Sequence, residues 1–364
     1  MEVKNIAVIG AGNGGFAIAA DLTLAGFRVN LFELPRFKEN VAIISKLRGI
    51  LITGVARTGF ARLNRITSDI KEAIEGTSCI LVATQSLAHQ EIAEMLAPII
   101  SPNQYIFIMP GSGGSFVFEK EFRKRGLKMD LAETLSLPYG CRKTSPVSVN
   151  VSRILGAQNG RNGMGVFPSK NTERVVKIFN GIYPNTFPMT NILETALCNA
   201  NIIKHPVGIL LNIGRIEYSE GQFRLYKEGM TPSVEKVIDA LDNETKPIFK
   251  KLGLDAVSIK QIFEKRYQKS WEEQAKSVSE IAGKEPPDIQ LRYITEDVPV
   301  GMVLISSIGK WLDIPTPTFE AVIHLCGIIN GTDYWKTGRT VESLGITSMG
   351  LEALKTFLRE GTSL

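Results

Sequence analysis

The sequence predicts an α/β fold in two parts: an N-terminal doubly wound, largely parallel sheet over residues 1–188, followed by an all-α C-terminal domain over residues 189–364. Three observations carry this. Short apolar runs alternate with helix-patterned segments through the first part, which is how βαβ units read. A glycine-rich turn joins the first strand to the first helix. Past Pro188 strand signals nearly vanish, and apolar residues recur at three- and four-residue spacing, the period of a helix face. The length of 364 residues agrees, since a domain averages about 150.

Taken in order, strands are predicted at Asn5–Ile9, Arg28–Phe32, Cys79–Ala83 and Tyr105–Met109, all rich in Ile, Val and Phe. Helices between them fall at Phe16–Ala25, Phe37–Leu47, Gln90–Leu96 and Ser115–Arg125. Val147–Ile154 and Gly163–Phe167 read as antiparallel strands added to the same sheet. The second part gives helices at Ile192–Ile216, Ser233–Leu252, Ile259–Glu264, Trp271–Ile281, Val300–Trp311 and Thr318–Ile329. Pro206 falls inside the first of these, where it kinks the helix or removes one backbone hydrogen bond.

Composition narrows the function classes. With 44% hydrophobic and 22% charged residues the chain reads as globular, not disordered, collagenous or coiled-coil. Its net charge of +5 is spread along the chain instead of gathered in a tail, so no nucleic acid is implied. Cys79, Cys141, Cys198 and Cys326 lie far apart, which indicates neither a disulfide framework nor a zinc or other metal site. The chain shows no long uninterrupted apolar run and no leader pattern at its start, so a cytoplasmic protein that does not engage a membrane is expected.

Gly10-Ala-Gly12-Asn13-Gly14-Gly15 follows the first strand and opens into a helix, the context that makes a GxGxxG turn a Rossmann-type dinucleotide site. Such a turn brings backbone close to a pyrophosphate, which the free N–H groups and dipole of the helix N-terminus hold. Glu33 ends the second strand, where a carboxylate accepts from both ribose hydroxyls and repels a 2′-phosphate, favouring NAD(H) over NADP(H). Arg36 lies just beyond and would grip a 2′-phosphate if Glu33 turned away. The loops Thr84–His89 and Pro110–Ser115 follow later strands and are expected to line the same crevice, with Thr84 and Gly111 as cofactor contacts.

A nicotinamide enzyme needs a proton donor or acceptor beside the reacting carbon, most often His. The chain has three. His324 reads as a packed or surface residue and His89 as a capping one. His205 stands in Asn199-Ala-Asn201-Ile-Ile-Lys204-His205-Pro206, which puts several polar groups into an apolar helix. Asn201 and His205 are four apart and share a face. The second polar cluster is Arg292-Tyr-Ile-Thr-Glu296-Asp297-Val-Pro299. Asp297 is suited to orienting His205, and Arg292 to gripping a substrate carboxylate with two hydrogen bonds. The same residues also read as a satisfied polar cluster, with Glu296 and Asp297 favouring a helix N-terminus.

These motifs together resemble the opine dehydrogenase family, of the octopine/nopaline dehydrogenase type, over essentially the whole chain. The resemblance rests on Gly10–Gly15 running into Asp21-Leu22, on Pro110–Gly114, on Leu137-Pro-Tyr-Gly-Cys-Arg142, on Asn201–Pro206 and on Arg292–Pro299. It implies NAD(P)H-dependent reductive condensation of a 2-keto acid, often pyruvate, with the amino group of an amino acid, and the reverse oxidation. It further implies His205 as the catalytic histidine, Asp297 as its acidic partner and Arg292 as a substrate-carboxylate contact, and Asn201, on the face of His205, is a further candidate substrate contact. Gly140-Cys141 departs from the small residues more usual after the Pro-Tyr pair.

Two other readings stay open on the residues alone. One is a related carbonyl reductase of the ketopantoate or glycerol 3-phosphate type, with Lys204 as proton donor. The other is a non-catalytic NAD-binding sensor, which needs Glu33 and the glycine turn but not His205. The composition suits a homodimer and a monomer alike, and Glu217, Glu220, Tyr267 and Trp271 are candidates for reading the amine.

Overall fold

The computed structural model describes residues 3–155, 160–270, 273 and 292–362. The chain runs through β1 (Asn5–Ile9), α1 (Asn13–Leu24), β2 (Arg28–Phe32), α2 (Glu39–Leu47), β3 (Gly49–Gly54), β4 (Gly59–Arg62) and β5 (Arg65–Thr67). It continues through α3 (Ile70–Ile74), β6 (Cys79–Val82), α4 (His89–Leu96), β7 (Tyr105–Ile108), α5 (Gly114–Arg123) and β8 (Leu131–Thr134). Then come β9 (Tyr139–Ser145), β10 (Ser148–Ile154), β11 (Asn162–Phe167), α6 (Thr172–Asn180) and β12 (Thr186–Pro188).

These elements build the first of two units, Met1–Thr195 joined by Thr356–Ser363. Its main sheet has eight strands in the order β12-β11-β8-β7-β6-β1-β2-β5. From β5 to β8 every pairing is parallel, and β11 then joins β8 antiparallel. This is the expected doubly wound sheet, with the order reversing at the β1–β6 pair; ligands of such sheets bind at the carboxyl ends of the strands flanking that point.

The segment Val147–Ile154 departs from expectation. As β10 it belongs not to the main sheet but to a separate four-stranded one, ordered β4-β3-β10-β9. Its inward residues Val149 and Val151 pack in the core cluster with Ile50, Ile52 and Ala61 of the small sheet and with α1. Alternation along a strand reveals which face is buried but not which neighbour buries it. The small sheet leaves α1 covered on both sides, and every residue from Gly14 to Leu22 is buried. The sequence of α1, Phe-Ala-Ile-Ala-Ala-Asp-Leu, is apolar almost all round, as an enclosed helix must be.

The second unit, Ala196–Lys355, is helical where described. The expected helix Ile192–Ile216 is three: α7 (Ile192–Leu197), α8 (Asn201–Leu210) and α9 (Ile213–Tyr218). The breaks fall at asparagines: Asn199 Oδ1 accepts from the Asn201 N–H at 3.2 Å, and Asn212 precedes α9. Such side chains offer the backbone an alternative to the helix. Pro206 is accommodated within α8. Next come α10 (Pro232–Leu252), α11 (Ile259–Tyr267), α12 (Arg292–Thr295), α13 (Val303–Trp311), α14 (Pro317–Asn330), α15 (Tyr334–Thr337) and α16 (Leu351–Glu360), whose last turns group with the first unit. Single π-helical turns occupy Leu225–Gly229 and Val298–Met302. The expected helix Trp271–Ile281 lies, apart from residue 273, outside the described residues. Among the described residues no helix is long and apolar enough to cross a membrane.

Candidate active site

In the first unit the glycine turn bends sharply after β1. Gly10 takes φ +101°, and a Cβ on Gly15 would stand 1.7 Å from the Gly10 carbonyl oxygen, so the turn closes onto α1 only without side chains. Gly12 is the opposite case. Nothing lies within 4 Å of where its Cβ would be, and α1 starts there without a side-chain cap. Beside the turn, at the end of β6, Thr84 Oγ1 is buried without a hydrogen-bond partner, and its methyl group lies against Gly10. An open backbone face at an uncapped helix N-terminus, with an orphaned hydroxyl next to it, fits the phosphates of a dinucleotide.

Glu33 is buried at the end of β2, where its carboxylate accepts from the N–H groups of Ala11 at 3.2 Å and Leu34 at 2.9 Å and from Asn40 Nδ2 at 3.3 Å. Arg36 is turned to another partner: its guanidinium is hydrogen-bonded to the Glu91 carboxylate, which holds its pKa above the ordinary value. Asn13 is gripped from β9, whose Lys143 N–H donates to Asn13 Oδ1 at 2.8 Å and whose Cys141 thiol donates to the Asn13 carbonyl at 3.3 Å. The Lys143 ammonium lies 3.7 Å over the Phe16 ring, and burial lowers its pKa against a smaller opposing pull from Glu33.

The N-terminus of α5 is finished differently. Fully buried Glu133 accepts from the N–H groups of Gly113 at 3.0 Å and Ser115 at 2.5 Å. A Cβ on Gly111 would run into this carboxylate at 2.2 Å, so Glu133 by itself accounts for a glycine there. His89 is buried as the first residue of α4, edge-on to Phe118.

In the second unit His205 on α8 is enclosed on three sides. Its Nδ1 lies 2.7 Å from Asp297 Oδ2 and its Nε2 3.0 Å from the Tyr226 hydroxyl. The Tyr293 ring stacks on it at 3.9 Å between centroids. A carboxylate only accepts, so the partners assign the proton to Nδ1 and leave Nε2 as the basic nitrogen, accepting from Tyr226. Asp297 reaches His205 because the π-helical turn after it presses onto α8: a Cβ on Gly301 would meet Ile202 at 2.5 Å. The backbone is already helical at Arg292, so Glu296 and Asp297 lie within a helical run instead of at its start.

The remaining candidates spread around this centre. Arg292 is half-exposed, its Nε 3.0 Å from buried Glu296 Oε2. Asn201 begins α8, one turn before His205. Lys204 is buried with its ammonium 4.5 Å over the Phe263 ring and 5.6 Å over Tyr226. His324 is exposed on α14. Sequence reasoning missed Tyr226 and Tyr293. Tyr293 has a legible signal in its four-residue spacing from Asp297, whereas Tyr226 sits in no motif and is placed by an irregular turn. Among the described residues no group of three or more His, Cys, Asp or Glu is placed to hold a metal ion.

Comparison with known proteins follows the same division. Residues 188–330 match the family described as NAD/NADP octopine/nopaline dehydrogenase, alpha-helical domain. Residues 5–111 match the NAD-dependent glycerol-3-phosphate dehydrogenase N-terminus. An opine dehydrogenase of Arthrobacter sp. (strain 1C) is 33% identical over 359 residues, covering 96% of this chain and 97% of its own. The structure of an octopine dehydrogenase in complex with NADH and agmatine superposes with a TM-score of 0.78 at 18% identity, covering 99% of both chains. A yersinopine dehydrogenase with NADP+ bound gives 0.70 at 13% identity, over 95% of this chain and 97% of that one. At those identities the two structures show the shared fold.

Proposed function

This chain belongs to the opine dehydrogenase family and is an NAD(P)-dependent oxidoreductase, and from that premise we propose that His205 and Asp297 are the acid–base pair of its reductive condensation of a 2-keto acid with an amino acid. The observation that carries the assignment is the 2.7 Å contact between His205 Nδ1 and Asp297 Oδ2 inside a buried pocket. Asp297 fixes the tautomer and stabilises the imidazolium, so that Nε2 is the nitrogen that exchanges protons.

The proton balance shows what that nitrogen must do. An amino acid enters as its ammonium and must lose a proton before its nitrogen attacks the keto carbon. The resulting carbinolamine must gain one as its oxygen leaves as water. The His205 system takes the first proton and returns it at the second step, leaving a protonated imine whose carbon is the better hydride acceptor. The bound nicotinamide supplies that hydride. The secondary amine then takes up one proton from solvent, so each turnover in this direction consumes one. Arg292 is proposed to hold the keto-acid carboxylate, and Asn201, one turn from His205, to contact substrate as well.

The Gly10–Gly15 turn, Asn13, Thr84 and Gly111 are proposed to receive the dinucleotide, and we propose NAD(H) over NADP(H). Glu33, proposed to meet the ribose, is held by three donors, and Arg36, the residue proposed to grip a 2′-phosphate, is hydrogen-bonded to Glu91. The test is oxidation of NADH and NADPH by purified protein given pyruvate with pooled amino acids. Consumption is expected only with both substrates and only residually in His205→Ala. Equal consumption with pyruvate alone means a carbonyl reductase.

A further inference from the structure

We propose that Lys143 on β9 is a cofactor-binding residue whose ammonium pairs with the pyrophosphate of the dinucleotide. The proposal rests on the reading of the Gly10–Gly15 turn as the dinucleotide site and brings to it a cation from the small sheet.

Register places the residue. Between β9 and β10, Cys141 pairs with Val151 and Lys143 with Val149, and directly opposed residues share a face of a sheet. Val149 and Val151 pack in the core cluster with α1, so Cys141 and Lys143 are on the α1 face as well. Both reach the first residue of that helix: the Cys141 thiol donates to the Asn13 carbonyl at 3.3 Å and the Lys143 N–H to Asn13 Oδ1 at 2.8 Å.

Among the described residues the Lys143 ammonium makes no hydrogen bond or ion pair, and it lies 3.7 Å over the Phe16 ring. Glu33 is the carboxylate whose pull reaches it, but that carboxylate accepts from Ala11, Leu34 and Asn40. Burial lowers the pKa of Lys143 more than Glu33 raises it, as for a cation that has lost water without gaining an ion pair. Its position adds to the cost, because Phe16 lies in the first turn of α1, where the helix dipole is positive and repels a cation. Two positive ends at one turn suit a ligand with two negative charges, and the pyrophosphate common to NAD and NADP carries two. A phosphate oxygen is a stronger partner for an ammonium than an aromatic face is. The anchorage at Asn13 favours the pyrophosphate over a 2′-phosphate, which belongs beside Glu33 at the end of β2.

The experiment measures NADH and NADPH dissociation constants by fluorescence titration, at low and high salt, for wild type, Lys143→Met, Lys143→Arg and Gly12→Ala, with thermal unfolding of each free protein. Lys143→Met is expected to unfold as wild type does, to weaken both cofactors by the same factor of roughly tenfold or more, and to flatten the salt dependence; Lys143→Arg is expected to stay within about threefold of wild type. An NADH constant in Lys143→Met within about threefold of wild type overturns the contact, while a weakened Gly12→Ala keeps the turn as the cofactor site. An NADH constant unmoved in Gly12→Ala as well overturns the site itself. A loss confined to NADPH overturns the pyrophosphate pairing by placing the ammonium on a 2′-phosphate. An equal loss in Lys143→Arg, with the salt dependence of wild type in both variants, overturns it too, because lost packing and not lost charge is then the cause. If Lys143→Met fails to fold, reductive methylation of the wild-type protein followed by peptide mass spectrometry asks the same question. Saturating NADH is expected to suppress labelling of Lys143 where adenosine does not, and labelling unchanged by NADH overturns the proposal.

Discussion

The Tyr139 hydroxyl on β9 donates a 2.7 Å hydrogen bond to Asp21 Oδ2 on α1, and through it the small sheet grips the helix that starts at the glycine turn. Tyr183 donates to the Tyr139 oxygen at 3.3 Å, and the Arg57 backbone N–H and guanidinium reach Asp21 Oδ1 at 3.2 and 3.1 Å. A buried carboxylate with several donors is tolerable where a lone one is not.

Burial holds the Tyr139 and Tyr183 phenols protonated, with folded-state pKa values above the ordinary value of 10. Groups raised in this way contribute stability that is complete below the unfolded-state pKa and is lost as pH rises above about 10. Denaturant midpoints are expected to fall above that pH. Native protein near pH 11 is expected to show a phenolate absorbance at least two tyrosines short of the unfolded chain.

Asp297→Asn preserves the shape of the His205 pocket but offers Nδ1 a side chain able to donate, which favours the wrong tautomer. A loss of kcat of roughly 100-fold or more is expected, with the NADH dissociation constant unchanged, since no cofactor contact is altered. Steady-state kinetics together with fluorescence titration separate the two quantities.

Two glycines of one turn are expected to fail in opposite ways. Gly15→Ala forces a Cβ to 1.7 Å from backbone oxygen and is expected to cost folding stability by about 3 kcal/mol or more. Gly12→Ala meets nothing within 4 Å, so its thermal unfolding is expected to match wild type while NADH affinity drops about tenfold, or 1.4 kcal/mol. Calorimetry and titration on the two variants distinguish a folding glycine from a binding one.

Cofactor choice is expected to respond to two carboxylates. Glu33→Gln removes the charge that repels a 2′-phosphate, and Glu91→Gln releases Arg36 toward one. The double variant is expected to raise the NADPH-to-NADH ratio of kcat/KM by about tenfold or more, and each single variant by less. An unchanged ratio places the discrimination elsewhere.

Local signals made the main sheet legible. β1 and β2 occupy the expected residues because each is a compact apolar run with turn residues at both ends. The small sheet was not: β3, β4 and β9 are half-exposed and mixed in composition, and long-range pairing supplies the stability that their own residues do not. At the site, His205 was legible as a polar group in an apolar helix and Asp297 as a member of a second polar cluster, and their 92-residue separation closes to 2.7 Å. Tyr226 was not, because a tyrosine among mixed neighbours carries no signal until a π-helical turn aims it. Arg292 is legible as a planar fork in the second polar cluster, but not the helical backbone that places Glu296 one turn away to engage its Nε.

The enclosure of α1 between two sheets bears on the thermodynamics of anything its N-terminus receives. The donor array there is set by core packing before a ligand arrives, so little chain ordering is left for the binding step, and affinity is carried by pre-organisation instead of by loop closure. Substitutions in the β9–β10 hairpin, on the far side of α1 from the main sheet, would then loosen the array and appear as a larger entropic penalty on cofactor association, with a heat of binding little changed.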